Sequence, residues 1–375
     1  MLSKKLGQIC KLRQGFQVPV DRQITECKEG YVRFIRIVDY TQKTDDIRYV
    51  LDDEKFYYVK PDDIVMVRYG AAGEVGHGIS GVIANNMFLI DPVMDINKDY
   101  LFYYLSQAKV KNKLLSASSS TTMPALNFKI VNDLDIPIWS RERQEDIVKH
   151  LDKIEGIISK RREELTKLDE LIKARFVEMF GNLNEKVRLG DCCDVHARIG
   201  WQALTKAEHR KTGEYMLITG TDFKDGGINY STCVYVEKER YEMDPHIILK
   251  NDDVLITKDG TIGKVAVVHN LPKPATLNAG VFVVRPDDRF NKEYISYVFR
   301  GPLFADYVEA SKTGATIKHL NQKHLVEFMI PEPTMDQQIE FAGFYSQVDK
   351  SKVAVQKALD ETQVLFDSLM QEYFG

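Results

Sequence analysis

KPDDIVMVRYGAAGEVG (Lys60–Gly76) and KNDDVLITKDGTIGKVA (Lys250–Ala266) are two versions of one segment. Asp62-Asp63 stands against Asp252-Asp253, and Gly70 and Gly73 stand against Gly260 and Gly263. Each version places an apolar run, IVMV or VLIT, before a glycine-punctuated turn, which predicts a strand, a tight turn and a second strand. Correspondence continues in both directions. Upstream, Leu6-Gly7 answers Leu189-Gly190, and Arg33–Tyr40 answers Leu217–Phe223. Downstream, INKDYLFYYL (Ile96–Leu105) answers FNKEYISYVF (Phe290–Phe299), Leu126-Asn127 answers Leu320-Asn321, and Ile136-Pro137 answers Ile330-Pro331. Both halves close on Phe-Gly, at Phe180-Gly181 and Phe374-Gly375. From Ile96 onward the offset is constant at 194, since 126 + 194 = 320 and 181 + 194 = 375. One register held over so many matches marks a duplicated unit of nearly 190 residues, far longer than a solenoid repeat. The length differences precede Ile96 and fall in polar segments that read as loops.

Within each half the pattern changes once. Short β-type runs separated by Gly, Pro, Asp and Asn come first, and a helix is predicted over 97–115 and again over 291–310 from i, i+3, i+4 apolar spacing. Each module is therefore a mixed α/β domain. After Pro137 and Pro331 the strands give way to helix. Ile147, Leu151, Ile154, Ile158, Leu165 and Leu168 recur in steps of four and three, as do Val348, Val355, Leu359 and Phe366. Arg161, Arg175 and Lys352 occupy seam positions in the same series. Sustained 4–3 spacing is the coiled-coil pattern. Two amphipathic helices, each packed on its own module, are the alternative; matching phase and length favour pairing. The expected organisation is a module over 1–140, a helix over 141–181, a second module over 182–334 and a second helix over 335–375. Domain termini often lie close together. That closeness makes the helices antiparallel, with the modules at opposite ends of the pair.

Composition bounds the class. Of 375 residues, 44% are hydrophobic and 28% charged, as in ordinary globular proteins. No run approaches the ~20 apolar residues that span a bilayer, and MLSKKLGQIC lacks the apolar core of a secretory signal. Five cysteines without a CxxC pair argue against a disulfide framework or zinc site and fit a cytoplasmic location. A net charge of −4 argues against a protein that coats DNA through bulk charge, but leaves room for a local basic surface.

The order module, helix, module, helix over the whole chain resembles the specificity subunit of Type I restriction–modification systems. Its most specific local pieces are DDVLITKDGTIGK with its echo DDIVMVRYGAAGEVG, the Ile-Pro pairs after Leu-Asn, and the helix openings RERQEDIV and TMDQQIEF. The resemblance implies an α/β (α+β) fold: two pseudo-repeated target recognition domains separated by a long antiparallel two-helix coiled coil. It implies double-stranded DNA as a partner, each domain reading one half of a bipartite, asymmetric target. It also implies two methyltransferase subunits docked on the helices, which two motor–nuclease subunits can join. The chain itself holds no cofactor; S-adenosylmethionine, ATP and magnesium belong to those partners, as does catalysis. One departure is the first loop, where Arg68 and Glu74 stand in place of Lys258 and Lys264.

The duplication sorts residues. If the half-targets differ, positions identical in both modules cannot encode the difference, so base readers belong to divergent segments and shared positions to scaffold, phosphate or partner contacts. Arg13, Gln14 and Gln17 in the first module stand against Arg198, Trp201 and Gln202 in the second. Arginine suits guanine and glutamine suits adenine in the major groove. Lys43, with Arg48, and Lys224 form a second set; the segments before Leu126 and Leu320, with Lys318, form a third. Arg68 and Tyr69, and Lys258, Thr261 and Lys264, flank the glycine turns and suit phosphate; ordinary β-turns with solvated cations are the other reading. Lys160–Arg162 is the clearest basic run on the first helix; it suits the spacer phosphates, but a solvated helical face is the better reading.

No catalytic constellation stands out. The sequence has no NPPY- or DPPY-type methyltransferase motif, no GxxxxGK[ST] phosphate loop and no HExxH. Two rivals are a coiled-coil scaffold that binds proteins without reading DNA, and a stand-alone DNA-processing enzyme. The antiparallel arrangement would bring Gly375 near the N-terminus as Gly181 lies near Leu189, so a circular permutant opened near Gly181, with the native ends joined, is expected to express and to bind DNA like the parent. A gel-shift titration checks this, and a folded permutant without DNA affinity contradicts the antiparallel arrangement.

Overall fold

A computed structural model describes residues 2–42, 44–118, 125–200, 204–224, 226–313 and 320–375. The chain divides into two compact units, residues 1–162 with 357–375, and residues 163–356.

In the first unit a four-stranded antiparallel sheet runs in the order Cys10–Gln14, Met87–Pro92, Ile64–Val67, Val75–Gly76. A three-stranded sheet follows the order Arg48–Leu51, Tyr31–Ile35, Val82–Ile83, with the last pair parallel. A two-stranded ribbon joins Leu2–Lys5 to Asp135–Ile138. The second unit repeats this plan. Cys193–Ala197, Val281–Pro286, Val254–Thr257 and Val265–Val267 form its larger sheet. Val234–Val236, Tyr215–Ile218 and Ala275–Leu277 form the smaller one, and Lys186–Arg188 pairs with Met329–Pro331. The runs IVMV and VLIT are buried at every residue. Strands covered on both faces need such continuous apolar sequence.

The helix expected over 97–115 is two helices, Lys98–Leu105 and Ala108–Ser116, and that over 291–310 is Lys292–Arg300 and Pro302–Thr313. Extended backbone at Gln107 (ψ 136°) and at Gly301 (ψ 176°) makes the breaks. The second break sits before a proline, which disfavours helix at the residue preceding it. Asn97 and Asn291 cap the leading helix of each pair, their side chains accepting from Tyr100 N and Tyr294 N at 3.0 Å. The capped tyrosines are buried, and their hydroxyls donate to Pro137 O (2.8 Å) and Pro331 O (3.1 Å). A hydroxyl buried this deeply needs that partner.

The long helices are Arg141–Phe180 and Met335–Phe374, 40 residues each. In the first unit Ile147, Val148 and Leu151 share a core with Tyr373 and Phe374. Tyr373 Oη lies 3.2 Å from His150 Nδ1, and the Arg161 guanidinium donates to Ala358 O and Thr362 Oγ1. In the second unit Ile172, Phe176 and Phe180 share a core with Phe341 and Val348. Here Lys352 Nζ lies 2.6 Å from Asp169, and Arg175 pairs with Glu340. In both units rising numbers on one helix meet falling numbers on the other, so the paired segments are antiparallel. Along the seam Ile147, Leu151, Ile158, Val348 and Leu359 are buried, while Ile154, Leu165, Leu168, Val355 and Phe366 are half-buried. A polar seam residue fixes register at a cost in stability; Arg161 meets that cost with the Ala358 carbonyl and the Thr362 hydroxyl.

A glutamine fastens the first turn of each long helix to its module. Gln144 is 2% exposed and Gln338 0%. Gln144 Oε1 accepts from Asn97 N (2.9 Å) and its Nε2 donates to Trp139 O (2.9 Å). Gln338 Oε1 accepts from Asn291 N (2.7 Å) and its Nε2 donates to Pro333 O (2.9 Å) and Arg289 O (3.0 Å). Gln144→Leu or Gln338→Leu keeps the bulk but strands backbone donors and acceptors. Each is expected to cost about 1–3 kcal/mol, read by urea unfolding; wild-type stability in both would show that these bonds do not anchor the helices.

Candidate nucleic-acid interface

A glycine loop occupies the same place in each larger sheet. The chain turns through Gly70 (φ 92°) and Gly73 (φ 84°) in one module, and through Gly260 (φ 70°) and Gly263 (φ 82°) in the other. Glycine enters this left-handed region without a Cβ penalty. The loops are held by matching backbone bonds. Gly73 N donates to Val67 O and Gly263 N to Thr257 O, each at 2.9 Å. Arg68 N donates to Asn86 O (2.8 Å) and Lys258 N to Gly280 O (2.9 Å). Leu126 N donates to Arg68 O (2.9 Å) and Leu320 N to Lys258 O (3.0 Å).

The cation opening each loop sits over an aromatic face. Arg68 Cζ is 5.9 Å from the Phe88 centroid and Lys258 Nζ 5.4 Å from that of Phe282. Arg68 and Lys258 thus share one seat although their chemistry differs. Arg68 Nε donates to Leu126 O at 3.1 Å, which fixes the plane of its guanidinium. At the far end of the loops the modules part company: Glu74 pairs with Lys111, whereas Lys264 is exposed.

In the first module Gln14, Gln17 and Tyr69 converge on Asn85. Gln14 Nε2 donates to Asn85 O (2.9 Å), Tyr69 Oη to Asn85 Oδ1 (3.4 Å), and Asn85 Nδ2 to Gln17 Oε1 (3.4 Å). Arg13 is drawn aside by Asp91 at 2.7 Å, with its Cζ 5.9 Å from the Tyr57 ring. The neighbouring sheet gathers Arg48, already singled out in the sequence, with Arg33 and Arg36, which were not. Arg36 Nη1 and Arg48 Nε lie 3.1 and 2.8 Å from Asp46, and Arg33 Nη2 lies 3.6 Å from Asp39. Hydrogen bonds, from Arg48 first and then Arg36, hold the Asp46 carboxyl below the ordinary carboxylate range. Three guanidinium groups against two carboxylates leave this corner basic. For Arg33 and Arg36 the available signal was their spacing within a divergent stretch that also carries Arg48.

In the second module Arg198 departs from the expectation of a DNA-facing side chain. It is 1% exposed, its Nε donates to Leu277 O (2.8 Å), and its Nη2 donates to Thr276 Oγ1 (3.1 Å) and Arg240 O (3.3 Å). Burial and then the nearby Arg240 cation push its pKa down, yet a guanidinium keeps its proton in proteins. Arg198 is a buried cation that ties strand Ala275–Leu277 in place; reaching a base would require the surrounding structure to open. Lys224, Thr261 and Lys264 are exposed and Lys258 is half-buried. Lys43, Trp201, Gln202 and Lys318 lie outside the described residues.

Among the described residues no group of three or more His, Cys, Asp or Glu side chains could hold a metal ion, and no helix is long and apolar enough to cross a membrane. The arrangement offers polar and cationic side chains on fixed loops, suited to recognition.

Comparison with known proteins fits that reading. The family model of the Type I restriction modification DNA specificity domain matches residues 2–167 and again residues 182–362. The MjaVIII specificity subunit of a Type I restriction enzyme from Methanocaldococcus jannaschii is 23% identical over 386 residues, covering 94% of this chain and 89% of its own. The MjaIX specificity subunit of the same organism is 30% identical over 102 residues, covering 27% and 23%. Among solved structures, the S subunit of a Type I system from M. genitalium superposes over 100% of this chain and 96% of its own with a TM-score of 0.56 at 13% identity. A chain from a structure concerned with assembly and conformational transition of the type I R-M system superposes over 100% and 97% with a TM-score of 0.58 at 16% identity. At these identities the superpositions speak for the fold. The duplicated frame is thus matched by one specificity-domain model in each half, and the chain belongs to the family of Type I restriction–modification DNA specificity subunits, the non-catalytic members of those systems, with two target recognition domains.

Proposed function

We propose that each recognition domain reads one half of a bipartite, asymmetric duplex DNA target, and that the paired helices set the unread spacer and dock two methyltransferase subunits. The functional parts run over 1–140 and 182–334 for recognition and over 141–181 and 335–375 for spacing and docking. Two motor–nuclease subunits can join the assembly. S-adenosylmethionine, ATP and magnesium serve those partners, and the complex works in the cytoplasm. The observation that carries this reading is the pair of glycine loops, built on matching backbone bonds but bearing different side chains. A frame present twice offers one reader to each half of a duplex site, and unlike side chains on it suit unlike half-targets.

Gln14, Gln17, Tyr69 and Arg68 in the first domain, and Lys224, Lys258, Thr261 and Lys264 in the second, form the DNA-facing sets on this reading. Arg13 joins the first set once Asp91 releases it. Lys43, Trp201, Gln202 and Lys318 belong to the same sets by sequence. Arg198 serves indirectly, by holding the strand from which the Asn278 loop leaves.

Co-expression with methyltransferase subunits, followed by genome-wide mapping of N6-methyladenine, is expected to give a two-part motif with unlike parts and a fixed gap. A continuous motif, or no methylation with assembled subunits, would sink the reading. Removing four residues from each long helix shortens it by ~6 Å, nearly two base pairs at ~3.4 Å each. The mapped gap is expected to shrink accordingly while both parts keep their bases; an unchanged gap would remove the helices from the ruler role.

A further inference from the structure

The common frame extends beyond the glycine loops. Ala84 N donates to Ile35 O and Asn278 N to Ile218 O, each at 2.9 Å. An aspartate closes the turn after each of those strands: Asp39 accepts from Arg36 N at 2.7 Å, and Asp222 from Thr219 N at 2.8 Å. These bonds put Ile37 and Val38 in register with Gly220 and Thr221. With the loop bonds they put Tyr69, Ala71 and Ala84 in register with Asp259, Thr261 and Asn278.

One exchange opens a cavity in the second domain. In the first, Ile37 covers the loop, and a Cβ on Gly70 would lie 3.1 Å from Ile37 Cδ1. Gly220 holds that position in the second, and a Cβ on Gly260 would meet no described heavy atom within 4 Å. The space is a cavity of about 570 Å³ whose lining includes Thr221, Asp259, Thr261, Lys264 and Asn278.

Its hydrogen-bonding character follows from the local partners. Thr219 has one hydroxyl proton, and it goes to Asp222 Oδ2 at 2.8 Å. The 2.7 Å contact between Thr219 and Thr221 hydroxyls must then use the Thr221 proton, which leaves Thr221 Oγ1 an acceptor. Asn278 Oδ1 accepts from Ala279 N at 2.6 Å, so the amide offers its N–H groups. A lining that offers both an acceptor and a donor complements adenine in the major groove, which shows an N6 amine donor and an N7 acceptor; guanine shows two acceptors there, and cytosine only a donor.

Building on the function proposed above, we infer that this cavity is the base-reading pocket of the second recognition domain and takes the major-groove edge of an adenine. Thr221 accepts from the N6 amine, Asn278 donates to N7, and Lys264 at the rim meets phosphate. In the first domain the equivalent positions carry Val38 and Ala84, so the same frame cannot read that base there.

Thr221→Val and Asn278→Ala put the first domain's residues into the second, and the threonine exchange preserves shape. Each variant, assembled with methyltransferase subunits, is mapped for N6-methyladenine beside the wild type. The expected result is relaxation of one A·T position in the second part of the motif by about tenfold or more, with the first part unchanged. Two variants with the full wild-type motif would overturn the assignment, as would a wild-type second part without an A·T pair. If a variant stops methylating, competition binding of its complex with duplexes substituted at each position decides: undiminished discrimination in the second part overturns the pocket, and discrimination lost at one position supports it. A wild-type map without a two-part motif removes the functional reading itself.

Discussion

An amide buried without partners costs several kcal/mol, so the glutamines that open the long helices must keep theirs. Gln144 and Gln338 each bind a backbone N–H from the cap of a module helix and a carbonyl just after that module's last strand. That places the first turn of a 40-residue helix at a fixed point on its module. Everything downstream inherits the setting: the phase of the apolar seam, the meeting of Arg161 with Thr362, and the depth to which Phe176 and Tyr373 reach into their cores. A helix free to rotate about its first turn would present a different stripe, and neither core would close.

The duplication makes the division of labour visible. Bonds found twice, such as those of Gly73 and Gly263 or of Asn97 and Asn291, are scaffold by their repetition. Side chains that differ at matched positions are where two unlike targets can be told apart. Backbone groups and glycine conformations make the frame, and the proposed function leaves recognition to side chains at its surface.

Much of this was legible in the sequence because it depends on local pattern. A constant offset exposes the repeat, apolar runs such as VLIT mark strands covered on both faces, and steps of four and three trace the seam. The break at Gly301-Pro302 was there to be read, but the apolar spacing on either side ran through it. What lay beyond reach depends on contacts between distant segments. Arg198 looked like a surface cation because arginine usually is one; its burial is decided by the Leu277 carbonyl and the Thr276 hydroxyl, nearly eighty residues away. The cavity was equally hidden. It exists because glycine replaces Ile37 at position 220, and that exchange matters only once the turn is folded over the loop.

A framework that takes its rigidity from main-chain bonds leaves the residues around the cavity lightly constrained. Changes at exposed positions such as Thr221 and Thr261 cost little in folding, typically within ~0.5 kcal/mol. On the function proposed above, a lineage can rewrite its target by a few substitutions here, without passing through an unfolded ancestor. Gly220 is the exception: a Cβ there would lie 2.7 Å from Thr257 Cγ2. The letters are free to drift, but the page they are printed on is not.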